Sequence, residues 1–417
     1  MTFAVLGLSA PLVRTAAALG YLAPTPVQEL AIPAILRGHD VWASAQTGSG
    51  KTAAFALPLL DRLACVPRAA PRAARSLVVV PTRELALQIG AAVQRYGRHL
   101  PLPPSVCIAV GGASVAAQVD ALQPGVDVLV GTPGRLLDLA SHGELSLSAL
   151  EVCVLDEADR LLSLGFAREL GELLALLPED HQRLLFSATF PPKVVTLAER
   201  ILRTPTRINV DAGATPAADL IEQRVIEVDS GRRAALLQRL LESQGWPRLL
   251  VFVASKLGAD DVALQLADAG IAALPLHGDL SQAARTAALD SFKASSIRVL
   301  VATDLAARGL DIAQLPAVVN YDLPRSAADY LHRIGRTGRA GERGVAVSFV
   351  SAHSAPHFRL IEKRHRLRLE REQVEGFEPQ ELVPPARDVN GGVKGRRKSK
   401  KDKLREAAAR GSGRPDG

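Results

Sequence analysis

The chain is poor in cysteine, in aromatic residues and in long apolar runs, and each shortage excludes something. Only three cysteines occur in 417 residues: Cys65, Cys107 and Cys153. They are isolated, with no CxxC pair or Cys/His cluster, so neither a disulfide framework nor a zinc site is expected. Cys107 and Cys153 lie inside apolar strand-like runs and read as small buried hydrophobes; a reducing compartment follows. Aromatic residues make up 4% of the chain, too few for a protein that recognises bases by stacking along a platform. No apolar stretch reaches the roughly 20 residues of a membrane-spanning helix. The first twenty residues are fairly apolar, but no Lys or Arg precedes Arg14 and no cleavage motif follows, which argues against a signal peptide. The expectation is a cytoplasmic protein without a membrane partner, monomeric or weakly self-associating. Net charge is also short outside one segment. Of the formal +7, six charges fall between Lys394 and Lys403, a stretch holding half of the ten lysines.

What is present is an α/β pattern. The length suggests two or three domains, and 47% hydrophobic with 22% charged residues suits a folded chain. Short Val/Leu/Ile runs recur at helix-length intervals: Leu77–Val80, Val106–Val110, Val126–Val130, Val152–Leu155 and Leu184–Phe186, then Val225–Val228, Leu249–Val253, Ala272–Leu276, Val299–Val301, Val318–Asn320 and Val345–Val350. Continuous apolar strands joined by helices indicate mostly parallel sheets covered on both faces. The expected division is a first domain over 1–210, a linker over 211–219, a second domain over 220–376, and a basic, disordered tail over 377–417. Polar clusters follow many of the strands, and open α/β sheets bind ligands at the carboxyl ends of their strands.

Two of these clusters carry recognisable chemistry. Ala45-Gln46-Thr47-Gly48-Ser49-Gly50-Lys51-Thr52 fits a phosphate-binding loop with Ala45 in the position usually held by Gly. Its glycines let backbone N–H groups turn toward phosphate oxygens, Lys51 reaches the β- and γ-phosphates, and Thr52 is a Mg²⁺ ligand. The apolar stretch after it can start a helix whose positive end faces the phosphates. Val152–Leu155 runs straight into Asp156-Glu157, placing Asp156 to hold Mg²⁺ and Glu157 to orient or deprotonate an attacking water.

Asp156-Glu157-Ala158-Asp159 spells the signature of the DEAD-box ATP-dependent RNA helicases, and the chain resembles that family over about residues 3–351, with the region Ile361–Pro379 and the basic tail similar to its RhlE-type bacterial branch. Gly20-Tyr21 with Pro24-Thr25-Pro26-Val27-Gln28 looks like the family's adenine-reading motif, and Phe3 occupies the upstream aromatic position. Pro81–Gln88, Gly111-Gly112, Thr132–Arg135, Ser187–Thr189, Gly278–Gln282 with Arg285, Val301–Ile312 and His332–Gly341 match further motifs in the family's order. The one departure is Ser163 in Leu162-Ser163-Leu164-Gly165-Phe166, where the family often has an acid.

The resemblance implies two tandem RecA-like domains with ATP between them and RNA across both. It implies adenine contacts from Phe3, Tyr21 and Gln28, ribose contacts from Asp311 with Gly309 allowing close approach, and γ-phosphate contacts from Arg336 and Arg339. Arginine suits that last task through its planar, permanent charge. Ser187, Thr189, His332 and Arg333 are the implied coupling residues. Arg83, Gly112, Thr132 and Arg135 on the first domain, with Thr303 and Arg308 on the second, are the implied RNA contacts, small and polar groups that suit backbone rather than base readout. The implied function is ATP-dependent local unwinding of short RNA duplexes; the alternatives are an RNA clamp with slow turnover and a DNA helicase. Ribosomal or RNA-decay proteins are the implied partners, and the basic tail reads as a nonspecific RNA tether.

Overall fold

The computed structural model describes residues 2–45, 48–64, 73–210, 220–307, 315–338 and 343–381. These form two seven-stranded sheets in which all strand pairs are parallel. In the first, β1 (Val41–Ser44), β2 (Ala74–Val79), β3 (Val106–Ala109), β4 (Val126–Gly131), β5 (Val152–Leu155), β6 (Gln182–Ser187) and β7 (Thr206–Asn209) lie in the order β3-β4-β2-β5-β6-β1-β7. In the second, β8 (Ile221–Glu227), β9 (Leu249–Val253), β10 (Ala273–Leu276), β11 (Val299–Thr303), β12 (Ala317–Asn320), β13 (Gly344–Val350) and β14 (Arg371–Glu372) lie in the order β10-β11-β9-β12-β13-β8-β14. The same winding built twice is the expected pair of RecA-like domains.

Each sheet is a wall between two cores, which explains the continuous apolar runs. All six residues of β2 are buried. Val78 packs with Phe55 and Leu60 of the phosphate-loop helix (Lys51–Leu63), while its neighbours Leu77 and Val79 face Leu136 and Leu139 on the other side. In the second domain Leu250 and Phe252 of β9 join Tyr330 and Phe358, and Leu249, Val251 and Val253 join Leu237 and Trp246. A strand covered on both faces cannot alternate apolar with polar residues. Cys107 and Cys153 are buried free thiols whose pKa values burial pushes up to about 11 and about 12, so they are inert, as the apolar runs around them suggest. Cys65 lies outside the described residues.

Several elements depart from the sequence pattern. The strands β1 and β7 were not expected: each has four residues, β1 offers only the short apolar stretch Val41–Ala43, and β7, pairing β1, buries only Ile208. The strand β8 starts at Ile221 rather than Val225; its first half, Ile221-Glu222-Gln223-Arg224, is mostly polar and carries no apolar run. The segment 377–381, expected in the disordered tail, is part of the second domain. Phe377 packs beneath Arg232, and the Asp229 carboxylate accepts the backbone N–H groups of Gln380 and Glu381 at 2.9–3.1 Å. Those donors hold the Asp229 carboxyl below its ordinary pKa. The linker 211–219 and residues 382–417 lie outside the described residues. Among the described residues no helix is long and apolar enough to cross a membrane.

The edge of the first domain that faces ligand is tightly fitted. A Cβ added to Gly131, the last residue of β4, would stand 2.6 Å from the backbone oxygen of Ala109 in the neighbouring strand. Gly131→Ala is therefore expected to destabilise the first domain by about 1–3 kcal/mol through overpacking against backbone that cannot yield; urea unfolding monitored at Trp42 measures it, and an unchanged midpoint would contradict the fit.

Candidate nucleotide and RNA site

The segments that follow the carboxyl ends of β1 and β5, the strands on either side of β6, meet at one cavity of about 450 Å³, a size typical of small-molecule sites. The chain leaves β1 with the Ala45 N–H donating to Ser187 O on β6 at 3.1 Å. It then reaches Gly48 (φ 83°) and Gly50 (φ 92°), left-handed conformations that glycine adopts without steric cost. Gly50 caps the phosphate-loop helix, so the unpaired N–H groups of its first turn border the cavity. Lys51 is buried and its ammonium donates to Ala45 O at 2.9 Å. Thr52 lines the same cavity. Gln46 and Thr47 lie outside the described residues.

Asp156 follows β5 directly. Burial pushes its carboxyl pKa up to about 6, with Glu157 and Asp159 adding to the rise and Lys51 opposing it. One of its oxygens accepts the Glu157 N–H at 2.9 Å. A buried carboxylate that the protein solvates this poorly is suited to a divalent cation, and with Thr52 in the same cavity the donor set fits Mg²⁺. Glu157 sits at φ 51°, ψ 50°, a left-handed conformation costing a non-glycine residue about 1–3 kcal/mol. The strained backbone turns the chain abruptly into the acidic-box helix (Ala158–Ser163) with Glu157 among the residues lining the cavity.

The base end is built on a capping box. Thr25 N–H donates to Gln28 Oε1 at 3.0 Å, and Gln28 Nε2 donates to Gly50 O at 3.1 Å, so the amide expected to read adenine also touches the phosphate loop. Tyr21 lines the cavity. Phe3 does not: it is buried at 4% exposure behind Tyr21, ring centres 6.4 Å apart, so its placement is that of a support for Tyr21 rather than a stacking partner in the cavity. The opposite wall comes from Gln88, Ala92 and Arg95 of the helix Arg83–Gly97, with Tyr96 bonding Tyr21 hydroxyl to hydroxyl at 3.1 Å. These wall residues went unnoticed in the sequence, although their spacing of four and three is that of one helical face.

From the second domain, Arg336 reaches the cavity that holds Lys51, Asp156 and Glu157. It follows the helix Ala327–Ile334, whose Ser326 hydroxyl accepts the Asp329 N–H at 3.2 Å and donates to that residue's carboxylate at 2.7 Å. His332, on the same helix, comes within 4.0 Å of Asp159 in the first domain. Asp159 in turn accepts the Thr189 hydroxyl at 2.6 Å, and its N–H donates to Ser187 Oγ at 3.2 Å. Ser187, Thr189 and His332, three of the residues expected to couple the domains, thus all meet at Asp159. Burial, with Arg160, Lys51 and Arg336 nearby, holds the His332 pKa far below 6.5 despite Asp159; the closed interface holds it neutral. Arg333 departs from expectation. Its partners are Asp304 at 2.6 and 2.7 Å and Asn320 at 3.1 Å, all in its own domain, so it anchors its helix to the end of β11 rather than reaching across. Arg339, Gly309 and Asp311 lie outside the described residues.

A second cavity, about 310 Å³, opens between the domains on another face. Arg83, Thr132 and Phe166 line its first-domain side, Gly278 and Gln282 its second. Gly112 (φ +72°) lies under the Arg83 guanidinium; a Cβ there would meet it at 2.2 Å. Arg135 Nη1 donates to Ala113 O at 3.4 Å, beside the same glycine turn. Glu84 and Arg285 close one side with a buried interdomain ion pair at 2.6 Å. Thr303 ends β11 at 9% exposure, and Arg308 lies outside the described residues. Phe166 is an aromatic in this cavity to which the sequence analysis gave no RNA role; the departure noted beside it was Ser163.

Two family patterns match: the DEAD/DEAH box helicase domain over residues 25–197 and the helicase conserved C-terminal domain over 232–341. The chain is 40% identical over 370 residues to the DEAD-box ATP-dependent RNA helicase CshA of Bacillus cereus, covering 89% of this chain and 69% of that protein. It is 39% identical over 380 residues to the DEAD-box ATP-dependent RNA helicase RhpA of Helicobacter pylori, covering 90% and 74%. Among solved structures it matches S. cerevisiae Dbp5 bound to RNA and ADP BeF3 with a TM-score of 0.79 at 32% identity, covering 89% of this chain and 95% of that one. The chain belongs to the DEAD-box family of ATP-dependent RNA helicases.

Proposed function

We propose that this chain hydrolyses ATP under the control of RNA and uses the closure of its two domains to open short RNA duplexes locally, as a member of the RhlE-type branch. The observation that carries the reading is the divided cavity: Lys51, Asp156 and Glu157 from one domain, Arg336 from the other. Such a site is complete only when the domains meet, and the cavity bounded by Arg83, Thr132, Gly278 and Gln282 spans the same junction. RNA laid across that second cavity favours closure, and closure completes the ATP site. Binding coupled through one equilibrium is reciprocal.

In the closed state a water oxygen attacks the γ-phosphorus of ATP. Glu157 takes the proton that this water gives up, and the bond from the γ-phosphorus to the bridging oxygen breaks, leaving ADP and phosphate. Lys51 and Arg336 neutralise charge on the phosphoryl oxygens, with Arg339 proposed beside them; an arginine in this role is worth about 10³–10⁵ in turnover. Thr52 and Asp156 would hold a magnesium ion, which would supply further neutralisation of the phosphates. Tyr21 and Gln28 hold the base, Phe3 steadies Tyr21, and the loop with Gly48, Ser49 and Gly50 holds the phosphates together with Gln46 and Thr47. Asp311, with Gly309 beside it, is assigned to the ribose. RNA is held through its backbone by Arg83, Gly112, Thr132, Arg135, Thr303 and Arg308. A cytoplasmic setting and ribosomal or RNA-decay partners complete the proposal.

Glu157→Gln tests the assignment. It is expected to keep ATP and RNA binding while RNA-stimulated phosphate release falls at least 10²-fold, the lower range for losing a general base; unchanged release would refute the role. The basic stretch Lys394–Lys403 gives a second test: removal of residues 382–417 should weaken RNA binding and lower the slope of log Kd against log salt by several units, as loss of phosphate contacts does, while sparing basal hydrolysis. An identical slope would dispose of the tether. A third test uses pH. His332 is held neutral in the closed interface, whereas a solvated histidine titrates near 6.5. The closed state therefore binds fewer protons, so closure is fully favourable above pH 6.5 and loses up to about tenfold per unit below it. RNA affinity in ADP·BeF3 should fall between pH 6.5 and 5.5 in the unmodified chain and less in His332→Gln; parallel pH profiles would contradict the assignment.

A further inference from the structure

Besides Glu84 and Arg285, a second buried ion pair joins the domains, between two residues in no phosphate-binding or RNA-contacting role. Arg160, in the first turn of the acidic-box helix, is 8% exposed at its side chain and donates through Nη1 to the carboxylate of Asp329, itself 11% exposed. Nothing about Arg160 in the sequence suggests burial; on an isolated first domain it would be a solvated helix charge beside the DEAD box. It is buried by the second domain, and Asp329 is what it finds there.

Asp329 is placed to transmit position. It is the third residue of the helix Ala327–Ile334, and both its N–H and its carboxylate bond the hydroxyl of the N-cap Ser326. Residues three and seven positions further on share its side of the helix. These are His332, which approaches Asp159, and Arg336, just past the helix end, which lines the ATP cavity. Three consecutive points along one strip therefore face the first domain: Asp329 on Arg160, His332 on Asp159, Arg336 over the phosphate loop. Arg333, one residue on from His332 and a turn on from Asp329, bonds within its own domain instead and fixes the helix to its own sheet through Asp304 and Asn320. The helix is held rigidly from behind and registered from in front at its capped end.

We infer that the Arg160–Asp329 pair is an interdomain latch that sets the register of the helix carrying Arg336, and so positions Arg336 over the γ-phosphate when the domains close. Arg160 and Asp329 are positioning residues: neither lines the ATP cavity. The pair is solvated when the domains separate and desolvated when they meet, so truncating one member leaves a buried charge unpaired in the closed state alone. Its loss acts on closure and not on binding to the separate domains.

The inference rests on the proposed RNA-coupled ATPase, and the experiment separates the two. The affinity of a single-stranded oligouridylate is measured with and without ADP·BeF3, giving a coupling ratio, for the full chain and for Arg160→Ala, Asp329→Asn, the double variant and Arg160→Lys. Asp329→Asn retains a side chain able to cap the helix, and melting of the nucleotide-free protein reports folding. Each single variant should lose about tenfold or more of the ratio, within the 5–150-fold span of typical couplings, with RNA affinity in the absence of nucleotide unchanged. The double variant should be no worse than the poorer single one, and Arg160→Lys should keep more of the ratio than Arg160→Ala. A ratio near one in the unmodified chain would overturn the coupled reading itself. Full ratios in both single variants, or strictly additive losses in the double, would overturn the latch alone.

Discussion

Charges of both signs crowd the cleft between the two domains, and the ordering of the rest follows from how they are matched. Lys51, Asp156 and Glu157 approach from one side and Arg336 from the other, with Arg160 near enough to join the cations in depressing the His332 pKa. Charges gathered in a poorly solvated cleft act strongly on one another. Asp329 sits on Arg160, Lys51 opposes the rise of the Asp156 pKa, and His332 is held neutral. Lys51 and Arg336 border the same cavity as the first turn of the phosphate-loop helix, an arrangement suited to a triphosphate.

The RNA-facing side is tied to the same cleft by short paths through rigid elements. Thr303 ends β11, the next residue Asp304 holds Arg333 bidentately, and Arg333 sits one position after His332. In the first domain, Ser187 at the end of β6 and Thr189 both engage Asp159, which faces His332. The first path joins a strand end to the last turn of a helix and the second a strand end to a helix start, and neither passes through a long loop. A ligand that draws the two RNA-facing surfaces together therefore draws Arg336 toward the phosphate loop by the same rigid displacement.

Much of this was legible in the residues. The phosphate loop, the Asp156-Glu157 pair and the arginine motif each occupy a continuous stretch with a fixed local geometry, and the apolar runs announced sheets covered on both faces. What escaped was of a different kind. The burial of Arg160 depends on Asp329 in another domain, and no local pattern records that. Phe3 looked like a stacking residue because it is aromatic and upstream; its actual place behind Tyr21 is a packing fact. Arg333 looked like its neighbours in the motif, yet its partners Asp304 and Asn320 lie in its own domain, which no local pattern records. The strand β1 was missed because its apolar stretch is only three residues long, and the edge strand β7 because it buries only Ile208; residues 377–381 were taken for tail because they dock through Asp229 and one aromatic rather than through an apolar run.

The account turns on a single equilibrium shared by nucleotide and RNA, and calorimetry on the full chain tests it most directly. The affinity for ADP·BeF3 is titrated with and without saturating oligouridylate, and the affinity for oligouridylate with and without saturating ADP·BeF3. Thermodynamic linkage through one closure fixes both factors at the same value, expected between about 5 and 150. Two factors equal to one, each ligand binding in indifference to the other, would contradict the divided site.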